Sequence, residues 1–167
     1  ALVTGAAQGI GAAISERLIA DGANVVAVDV NEARLAAVAQ RLGPSCLPFV
    51  ADIADESACA AAVDATVRAY GRLDVLCAHA GVAEPRGFLD EDADHWRRHM
   101  SINVDGAFYC MLHASHAMIG HGGSMVVTAS INGFFVEETM TSYNVSKGAL
   151  LTLVRSAAID LGRRGIR

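Results

Sequence analysis

Short apolar runs alternate with longer amphipathic segments along the whole chain. The apolar runs predict buried β-strands near residues 1–4, 24–29, 46–50, 73–78 and 123–129. The segments between them carry apolar positions at helical spacing and predict helices near residues 10–21, 32–42, 55–70, 92–119 and 142–162. This alternation predicts an α/β fold, a three-layer doubly wound parallel sheet with helices on both faces.

Glycine and polar residues follow the ends of the predicted strands. Because ligands of open α/β sheets bind outside the carboxyl ends of the strands, we expect one crevice to collect these segments. They are Thr4 to Gly11, Asp29, Asp52, Ala78 to Gly81 and Ser130.

The first predicted strand runs directly into a glycine-rich turn and then a helix. The glycines permit backbone torsions and close approaches that a Cβ would prevent, and the helix N-terminus attracts a pyrophosphate. The spacing Gly-x-x-x-Gly-x-Gly differs from the Gly-x-Gly-x-x-Gly fingerprint, and by itself it also fits a tight strand–helix turn. In this context we predict a dinucleotide site formed by Thr4, Gly5, Gln8, Gly9, Ile10 and Gly11.

A carboxylate, Asp29, ends the second predicted strand. It can accept hydrogen bonds from the hydroxyls of an adenosine ribose, and its charge would repel the 2′-phosphate of NADP, so we predict NAD as the cofactor. The alternative is that Asp29 caps the next helix, where Asn31 and Glu32 also qualify. Asp52 has two interpretations of similar weight, a contact with the adenine amino group or a cap for the helix that begins near Asp55.

Tyr143 and Lys147 lie four residues apart at the start of the last predicted helix, so their side chains share one face. A fixed ammonium near a phenol favours its ionised form and helps it exchange a proton near neutral pH. Ser130 lies thirteen residues before Tyr143 and adds a hydroxyl. Separately, the pair also fits an interface aromatic beside a solvated lysine, and Ser130 fits a strand-end turn. Together they predict proton-transfer catalysis at a carbon–oxygen bond.

The composition limits the class of protein. The 167 residues are 53% hydrophobic, enough for a substantial core in a single domain over 1–167. A net charge of −5 without basic runs gives little attraction for nucleic acid or anionic lipid, so neither partner is expected. Without a secretory leader pattern or an apolar run that could span a membrane, we expect a cytoplasmic protein.

Cysteines and histidines predict no metal centre. The cysteines lack Cys-x-x-Cys spacing and are expected to be small buried hydrophobic residues. The pairs His95–His99 and His113–His116 have helical spacing, but no acid or cysteine completes a ligand set. We therefore expect these histidines at an interface or on the surface.

In combination, the motifs resemble the short-chain dehydrogenase/reductase family over essentially the whole chain. They are Thr4-Gly5-x-x-x-Gly9-x-Gly11, Asp29, Asp52, Ala80-Gly81, Asn103, Ser130 and Tyr143-x-x-x-Lys147. The resemblance implies a Rossmann-type fold, NAD(P)-dependent oxidation of an alcohol or reduction of a carbonyl, and commonly a homotetramer built on two long helices. Those helices would be the predicted segments 92–119 and 142–162.

The resemblance also implies roles for individual residues. Tyr143 is similar to the family's general acid/base, and Lys147 to the residue that assists it and binds the nicotinamide ribose. Ser130 is similar to the hydroxyl that orients the substrate oxygen. Asn103 is similar to the asparagine that holds a water in a proton relay, a role compatible with a buried amide that bonds helix backbone. The implied cofactor contacts beyond the glycine turn are Asp29, Asp52, Ile53, His79, Ala80, Gly81, Tyr143 and Lys147.

One position departs from the family pattern. The residue before Ala80-Gly81 is usually asparagine, whereas this chain has His79. The imidazole can replace the amide as a hydrogen-bond donor, which is our preferred interpretation. Its protonation would instead add a charge near the cofactor and make cofactor affinity depend on pH.

We therefore predict an oxidoreductase that transfers a hydride between NAD(H) and a small alcohol or ketone. Because residue 1 falls within a predicted strand and residues 165–167 resemble an exit toward another strand, we expect the last strands and the C-terminal substrate loop of the family fold to be absent. That expectation leaves a non-catalytic NAD(H)-binding or assembly module as the alternative. The substrate stays open, since an apolar wall, the core or an interface would each accommodate Phe134, Phe135, Val136 and Met140.

Overall fold

Five parallel strands form one sheet in the computed structural model, which describes residues 1–167. The strands are β1 (Leu2–Thr4), β2 (Val25–Asp29), β3 (Cys46–Val50), β4 (Val75–Ala78) and β5 (Ser124–Val127). Their order across the sheet is β3-β2-β1-β4-β5, and every neighbouring pair is parallel. The predicted α/β doubly wound architecture is confirmed.

Helices connect the strands and cover both faces of the sheet. They are α1 (Gly9–Ala20), α2 (Glu32–Leu42), α3 (Glu56–Tyr70), α4 (Ala93–Met100), α5 (Gly106–Met118) and α6 (Thr141–Gly162). The helix predicted over 92–119 is present as one continuous helical stretch, in which a π-helical segment, Ser101–Asp105, joins α4 to α5. No helix combines the length and hydrophobicity that a membrane span requires.

Alternate residues of the strands point to opposite faces, and each face has its own core. Leu2, Val26 and Leu76 belong to a cluster of 18 buried residues that includes parts of α3, α5 and α6. Val3 and Val25 belong to a cluster of 8 buried residues that includes Leu35 of α2 and is covered by α1. Because β1 and β2 are buried on both faces, their sequences are continuous apolar runs.

The chain changes its direction across the sheet between β3 and β4. From β1 it proceeds through β2 to β3 at one edge, and then crosses to β4 and β5 on the other side of β1. At such a switch point the loops after neighbouring strands diverge, which opens a crevice at the carboxyl ends of the strands. Beyond β5, Ile166 forms a parallel bridge with Gly123 and begins to extend the sheet.

Candidate active site

A cavity of about 710 Å³ opens at the carboxyl ends of the strands. The residues predicted to bind a cofactor that line this cavity are Gly5, Gln8, Gly9, Ile10, Asp29, Asp52, Ile53, His79, Ala80, Gly81, Tyr143 and Lys147. Four predicted site residues do not line it, namely Thr4, Gly11, Asn103 and Ser130. The structure therefore brings most of the predicted site together in one space.

The glycines of this turn serve two purposes: two of them allow close backbone packing, and the third leaves space open for a ligand. A Cβ on Gly11 would lie 2.1 Å from the carbonyl oxygen of Gly5, and a Cβ on Gly5 would lie 2.8 Å from the Cα of Ala80. Neither position has room for a side chain. Gly9, with φ +51°, has nothing within 4 Å of an ideal Cβ and opens onto free space at the start of α1. A helix N-terminus beside free space suits the pyrophosphate of a dinucleotide.

Thr4 lies beneath the cavity and not on its wall. Its side chain is buried, and its hydroxyl oxygen accepts hydrogen bonds from the backbone N–H groups of His79 at 3.0 Å and Ala80 at 3.1 Å. The residue ties the end of β1 to the segment after β4. The geometry thus gives Thr4 a positioning role, and its contact with a cofactor stays a prediction.

Asp29 joins the glycine turn to the loop after β2. One carboxylate oxygen accepts the backbone N–H of Ala7 at 3.0 Å, and the other accepts that of Asn31 at 2.9 Å. The cap of α2 is Asn31, whose side-chain oxygen accepts the N–H of Arg34, so the capping alternative for Asp29 is wrong. Each carboxylate oxygen retains lone-pair capacity for a ligand.

Asp52 lies exposed on the cavity wall and accepts the backbone N–H of Ala54 at 2.9 Å. The cap of α3 is Asp55, whose carboxylate accepts the N–H of Ser57 at 2.8 Å. The capping interpretation of Asp52 is therefore wrong, while its contact with adenine stays a prediction. The neighbouring Ile53 is buried and supplies an apolar part of the wall.

Tyr143 and Lys147 lie at the start of α6 and face the same cavity. The Lys147 Nζ atom is 5.6 Å from the centroid of the Tyr143 ring and donates a hydrogen bond to the carbonyl oxygen of Thr128 at 2.8 Å. Lys147 is only 4% exposed, and this burial lowers the pKa of its ammonium below the ordinary lysine value. The Thr128 carbonyl therefore fixes the ammonium while two further N–H bonds stay available.

His79 lines the cavity beside the same threonine. Its Nδ1 atom lies 3.0 Å from the hydroxyl oxygen of Thr128. Burial lowers the pKa of the imidazole, and the positive charge of Lys147 lowers it further. The neutral ring is therefore favoured at neutral pH, which supports the interpretation of His79 as a hydrogen-bonding substitute for asparagine. If the Thr128 hydroxyl donates to Nδ1, the ring proton lies on Nε2.

Ser130 follows Ala129 of the cavity wall, but its own hydroxyl bonds Asn132. The Ser130 oxygen accepts the backbone N–H of Asn132 and donates to the Oδ1 atom of that residue, both at 3.2 Å. Ser130 thereby caps the short 3₁₀ turn Ile131–Gly133, as the turn interpretation expects. One lone pair of the hydroxyl stays free, so its catalytic role stays a prediction compatible with the turn.

Asn103 lies in the π-helical segment and is 1% exposed. Its Oδ1 atom accepts the N–H of Val82 at 2.8 Å, and its Nδ2 atom donates to the carbonyl of Val82 and the hydroxyl of Ser146, both at 2.9 Å. The side chain thus connects the loop after β4 to α6. Its predicted participation in a proton relay is not tested by these bonds.

The expectation of surface or interface positions is wrong for two of the histidines. His95 and His99 are buried within the chain, and their rings lie 4.4 Å apart. His95 pairs with the carboxylate of Glu91, and His99 accepts the backbone N–H of Glu84 at 3.2 Å. They pack α4 against the loop after β4, and helical spacing alone could not distinguish this packing from exposure.

Several functional positions were missed by sequence reasoning. Thr128 holds both His79 and Lys147, and Asn132 holds Ser130. Arg98 lines the cavity while its Nε donates to a carboxylate oxygen of Glu84 at 3.2 Å. Thr128 and Asn132 lie within two residues of Ser130, which marks their positions in the sequence but not the partners that they bond. No sequence pattern marked Arg98.

Comparisons with curated proteins find relatives that carry dehydrogenase names. The chain is 42% identical to "Short-chain dehydrogenase reductase 5" of Arabidopsis thaliana, over 99% of the chain and 66% of that protein. It is 35% identical to secoisolariciresinol dehydrogenase of Forsythia intermedia, over 100% of the chain and 62% of that protein. It is 40% identical to cis-4-hydroxycyclohexanecarboxylate dehydrogenase of Sinomonas cyclohexanicum, over 100% of the chain and 69% of that protein. The chain thus spans about two thirds of the length of these relatives.

A solved structure and a family model agree with the relatives. The crystal structure of a short chain dehydrogenase from Mycobacterium smegmatis superposes with a TM-score of 0.96 at 30% identity, and the match covers 99% of this chain and 72% of that one. The family model described as short chain dehydrogenase matches residues 1–167. The chain therefore belongs to the short-chain dehydrogenase family of NAD(P)-using oxidoreductases.

Proposed function

We propose that the protein is an NAD-dependent oxidoreductase that interconverts a small alcohol and its ketone. The observation that carries this proposal is that Tyr143 and Lys147 share one cavity with Asp29 and the glycine turn. A pair suited to proton transfer and a cradle suited to a dinucleotide thus face the same space. The name of the Sinomonas relative, cis-4-hydroxycyclohexanecarboxylate dehydrogenase, supports action on a hydroxyl group.

The residues that would hold the dinucleotide are distributed along the cavity. The glycine turn and the start of α1 would take the pyrophosphate. Asp29 would accept the ribose hydroxyls, and Asp52 with Ile53 would contact the adenine. Residues 79–81, Tyr143 and Lys147 would flank the nicotinamide end. When bound, NAD(H) supplies or accepts the hydride.

The residues of the chain would manage the proton and the substrate oxygen. Tyr143 removes the hydroxyl proton during oxidation and returns a proton to the oxygen during reduction. Lys147, fixed on the Thr128 carbonyl, places a positive charge beside the phenol. Ser130 orients the substrate oxygen. Asn103 keeps the wall at Val82 in place and retains its predicted part in a proton relay.

The preference for NAD is attributed to the Asp29 charge. We expect fluorescence titration to give NADH at least about tenfold tighter binding than NADPH, because a 2′-phosphate would meet this carboxylate. Asp29→Asn should remove most of that discrimination. The matched control is Asp64→Asn, an exposed carboxylate of α3, which should leave the ratio unchanged. Equal binding of both nucleotides by the unchanged protein would refute the NAD preference.

Turnover is tested by screening secondary alcohols with NAD and the matching ketones with NADH. Reaction in either direction supports the proposal. Nucleotide binding without turnover of any pair would favour the non-catalytic binding module. A cytoplasmic location and a single-domain organisation stay predictions.

We also propose a homo-oligomer formed through α5 and α6. These helices expose apolar side chains that a partner subunit would cover, namely Phe108, Val145, Val154 and Ile159. Light scattering of the purified protein should give a dimer or tetramer mass. A monomer at micromolar concentration would contradict this proposal without affecting the assignment of the site.

A further inference from the structure

One cationic side chain of the cavity wall has no part in the proposed function. Arg98 of α4 lines the cavity, and the other Lys or Arg of the wall is Lys147, beside Tyr143. The preceding residue, Arg97, does not line the cavity and pairs with Asp94 of its own helix. The two adjacent arginines therefore face different surroundings, and Arg98 is the one that can reach a ligand in the cavity.

The packing of the following helix determines at which end of the cavity Arg98 lies. The helix α5 begins against Ile53, because a Cβ on Gly106 would lie 2.5 Å from the Cδ1 atom of Ile53. Between Arg98 and Gly106 in the sequence, Ile102 also lines the cavity. This stretch of helix therefore runs from Ile53 along the wall to Arg98, at the end where Asp52 and Ile53 would contact the adenine.

The loop after β4 orients the guanidinium of Arg98. Its Nε atom donates to Oε1 of Glu84 at 3.2 Å, and the backbone N–H of Glu84 donates to Nε2 of the fully buried His99, also at 3.2 Å. An ion pair whose side chains are 54% and 47% exposed contributes little to stability, so its effect is to fix where the guanidinium lies. Only one of the five N–H groups of Arg98 is used in this way, and the others stay available for a ligand.

A planar cation at this place suits a flat aromatic ligand. Guanidinium groups stack on the rings of nucleic-acid bases, because the cation is attracted to the electrons of the ring face. The pyrophosphate has its own site at the glycine turn, and Asp52 is placed for the amino group of adenine. With Ile53 on one face of the purine, the other face is open to Arg98.

We propose that Arg98 binds the adenine of the dinucleotide, with its guanidinium plane stacked on the purine ring. This inference rests on the dinucleotide site of the proposed function, and not on the catalytic roles of Tyr143 and Lys147. It adds a residue that recognises the base. It also makes Glu84 a positioning residue, since its carboxylate acts on the base through Arg98.

The contact is tested without turnover, by titration calorimetry with ADP-ribose, which carries the adenine and the pyrophosphate but no nicotinamide. Arg98→Lys keeps the charge and removes the plane. ADP-ribose and NADH should therefore each bind about threefold to tenfold more weakly, the range for one lost cation–ring contact. The matched control is Arg97→Lys, the same substitution at the neighbouring position outside the cavity, which should change either dissociation constant less than about twofold.

A second nucleotide distinguishes the face of the purine from its edge. Reduced nicotinamide hypoxanthine dinucleotide has an oxygen in place of the amino group of adenine, which changes the hydrogen bonds of that edge while the ring stays flat. A stacked guanidinium does not contact the edge, so Arg98→Lys should weaken the binding of this nucleotide by the same factor as that of NADH. If the factor disappeared with hypoxanthine, Arg98 would bind an edge of the base and the stacking would be wrong.

The positioning role of Glu84 has its own variant. Glu84→Ala removes the carboxylate that orients Arg98 and keeps the backbone N–H that donates to His99. It should weaken ADP-ribose binding about twofold to threefold, and this loss should vanish in an Arg98→Lys background. If Arg98→Lys does not fold, an unchanged ADP-ribose affinity of Glu84→Ala would overturn the proposal.

The outcomes separate this proposal from the proposed function. Equal affinity of Arg98→Lys and the wild-type protein for ADP-ribose would show that the plane is not used and overturn the proposal. A loss of affinity for NADH alone would place Arg98 at the nicotinamide end and overturn it equally. Absence of turnover with any alcohol and ketone pair, with the ADP-ribose results as expected, would refute the proposed function and leave the adenine contact standing. A wild-type protein that binds neither NADH nor ADP-ribose would refute both.

Discussion

The two sides of the cavity are held in place by different kinds of contact. On the side of the glycine turn, backbone groups touch one another, and a Cβ on Gly11 would lie 2.1 Å from a carbonyl oxygen. Around Ser130, side chains hold one another through Asn132, and Phe134 and Phe135 lie exposed nearby. Backbone packing tolerates almost no change of shape, whereas a side-chain network can be replaced piece by piece. We infer that the side of the glycine turn tolerates substitution less than the side around Ser130.

The largest expected effect is a loss of turnover that leaves nucleotide binding nearly unchanged. Tyr143→Phe should lower turnover by about 10²–10⁴, because the proton-transfer group is lost. The NADH dissociation constant should change less than about threefold, since the glycine turn is untouched. Stopped-flow or steady-state rates beside a fluorescence titration measure both, with Tyr70→Phe at the end of α3 as the control. Near-normal turnover of the Tyr143 variant would remove Tyr143 from the mechanism.

A matched change on the nucleotide side should affect folding and binding together. Gly11→Ala places a Cβ against the Gly5 carbonyl, and overpacking of this kind costs about 1–3 kcal/mol of unfolding free energy. NADH affinity should fall with it. Gly162→Ala, where nothing lies within 4 Å of the added carbon, should be close to neutral by urea denaturation. If the two alanine variants were equally stable, the close packing assigned to the turn would be wrong.

This contrast also explains how much the sequence could predict. The strand ends, the glycine turn and the order of the elements follow from apolar runs and glycine spacing, because backbone packing leaves a regular local pattern. The same kind of local pattern indicated that Asp29, after a strand, and Lys147, at the start of a helix, would face the cavity that they line. The fold of the nucleotide side was therefore predicted almost completely.

The other side depends on contacts that no local pattern encodes. Asn132 bonds Asn144 and Glu137 across a loop, and Thr128 bonds His79 between the ends of the neighbouring strands β5 and β4. The periodicity of the sequence predicts a helix over 92–119 but does not indicate the π-helical segment within it. The inward packing of His95 against Glu91 was missed because burial of a histidine depends on the loop that covers it. Tertiary pairing decides these positions.

A smaller effect is expected at Lys147, between the two sides of the cavity, where one substitution should lower activity and raise stability. Lys147→Met should abolish most turnover yet raise the unfolding free energy by about 1 kcal/mol, because a nearly buried ammonium without an acidic partner is replaced by an apolar chain. Since the folded pKa of Lys147 is lowered, the unfolded chain binds more protons, and the wild-type protein gains stability as pH rises between the folded and unfolded values. The advantage of the variant should therefore shrink toward pH 10.5. Denaturation of both proteins between pH 7 and 10.5 tests this, and a destabilised methionine variant would contradict it.

The smallest expected effect concerns His79. At pH 8 the ring is neutral, so His79→Asn should change NADH affinity less than about threefold. Because the folded pKa of His79 is lowered, its contribution to stability is fully present above its unfolded value and is lost as pH falls through the folded value. Below about pH 6.5 the wild-type protein should thus lose stability relative to the variant, by less than about 1 kcal/mol for a half-buried ring. A difference in melting temperature between the wild-type protein and His79→Asn that stays constant from pH 8 to 5 would contradict this expectation.

The free space beside Gly9 exists in the folded chain, so the binding of a ligand there is linked to folding. A dinucleotide that fills this space binds the folded chain and not the unfolded one. The free energy of unfolding therefore rises with the concentration of free dinucleotide. At a free concentration of one hundred times the dissociation constant, this linkage amounts to about 2.7 kcal/mol. The abundance of the protein in a cell would then follow the supply of its cofactor as well as the quality of its own packing.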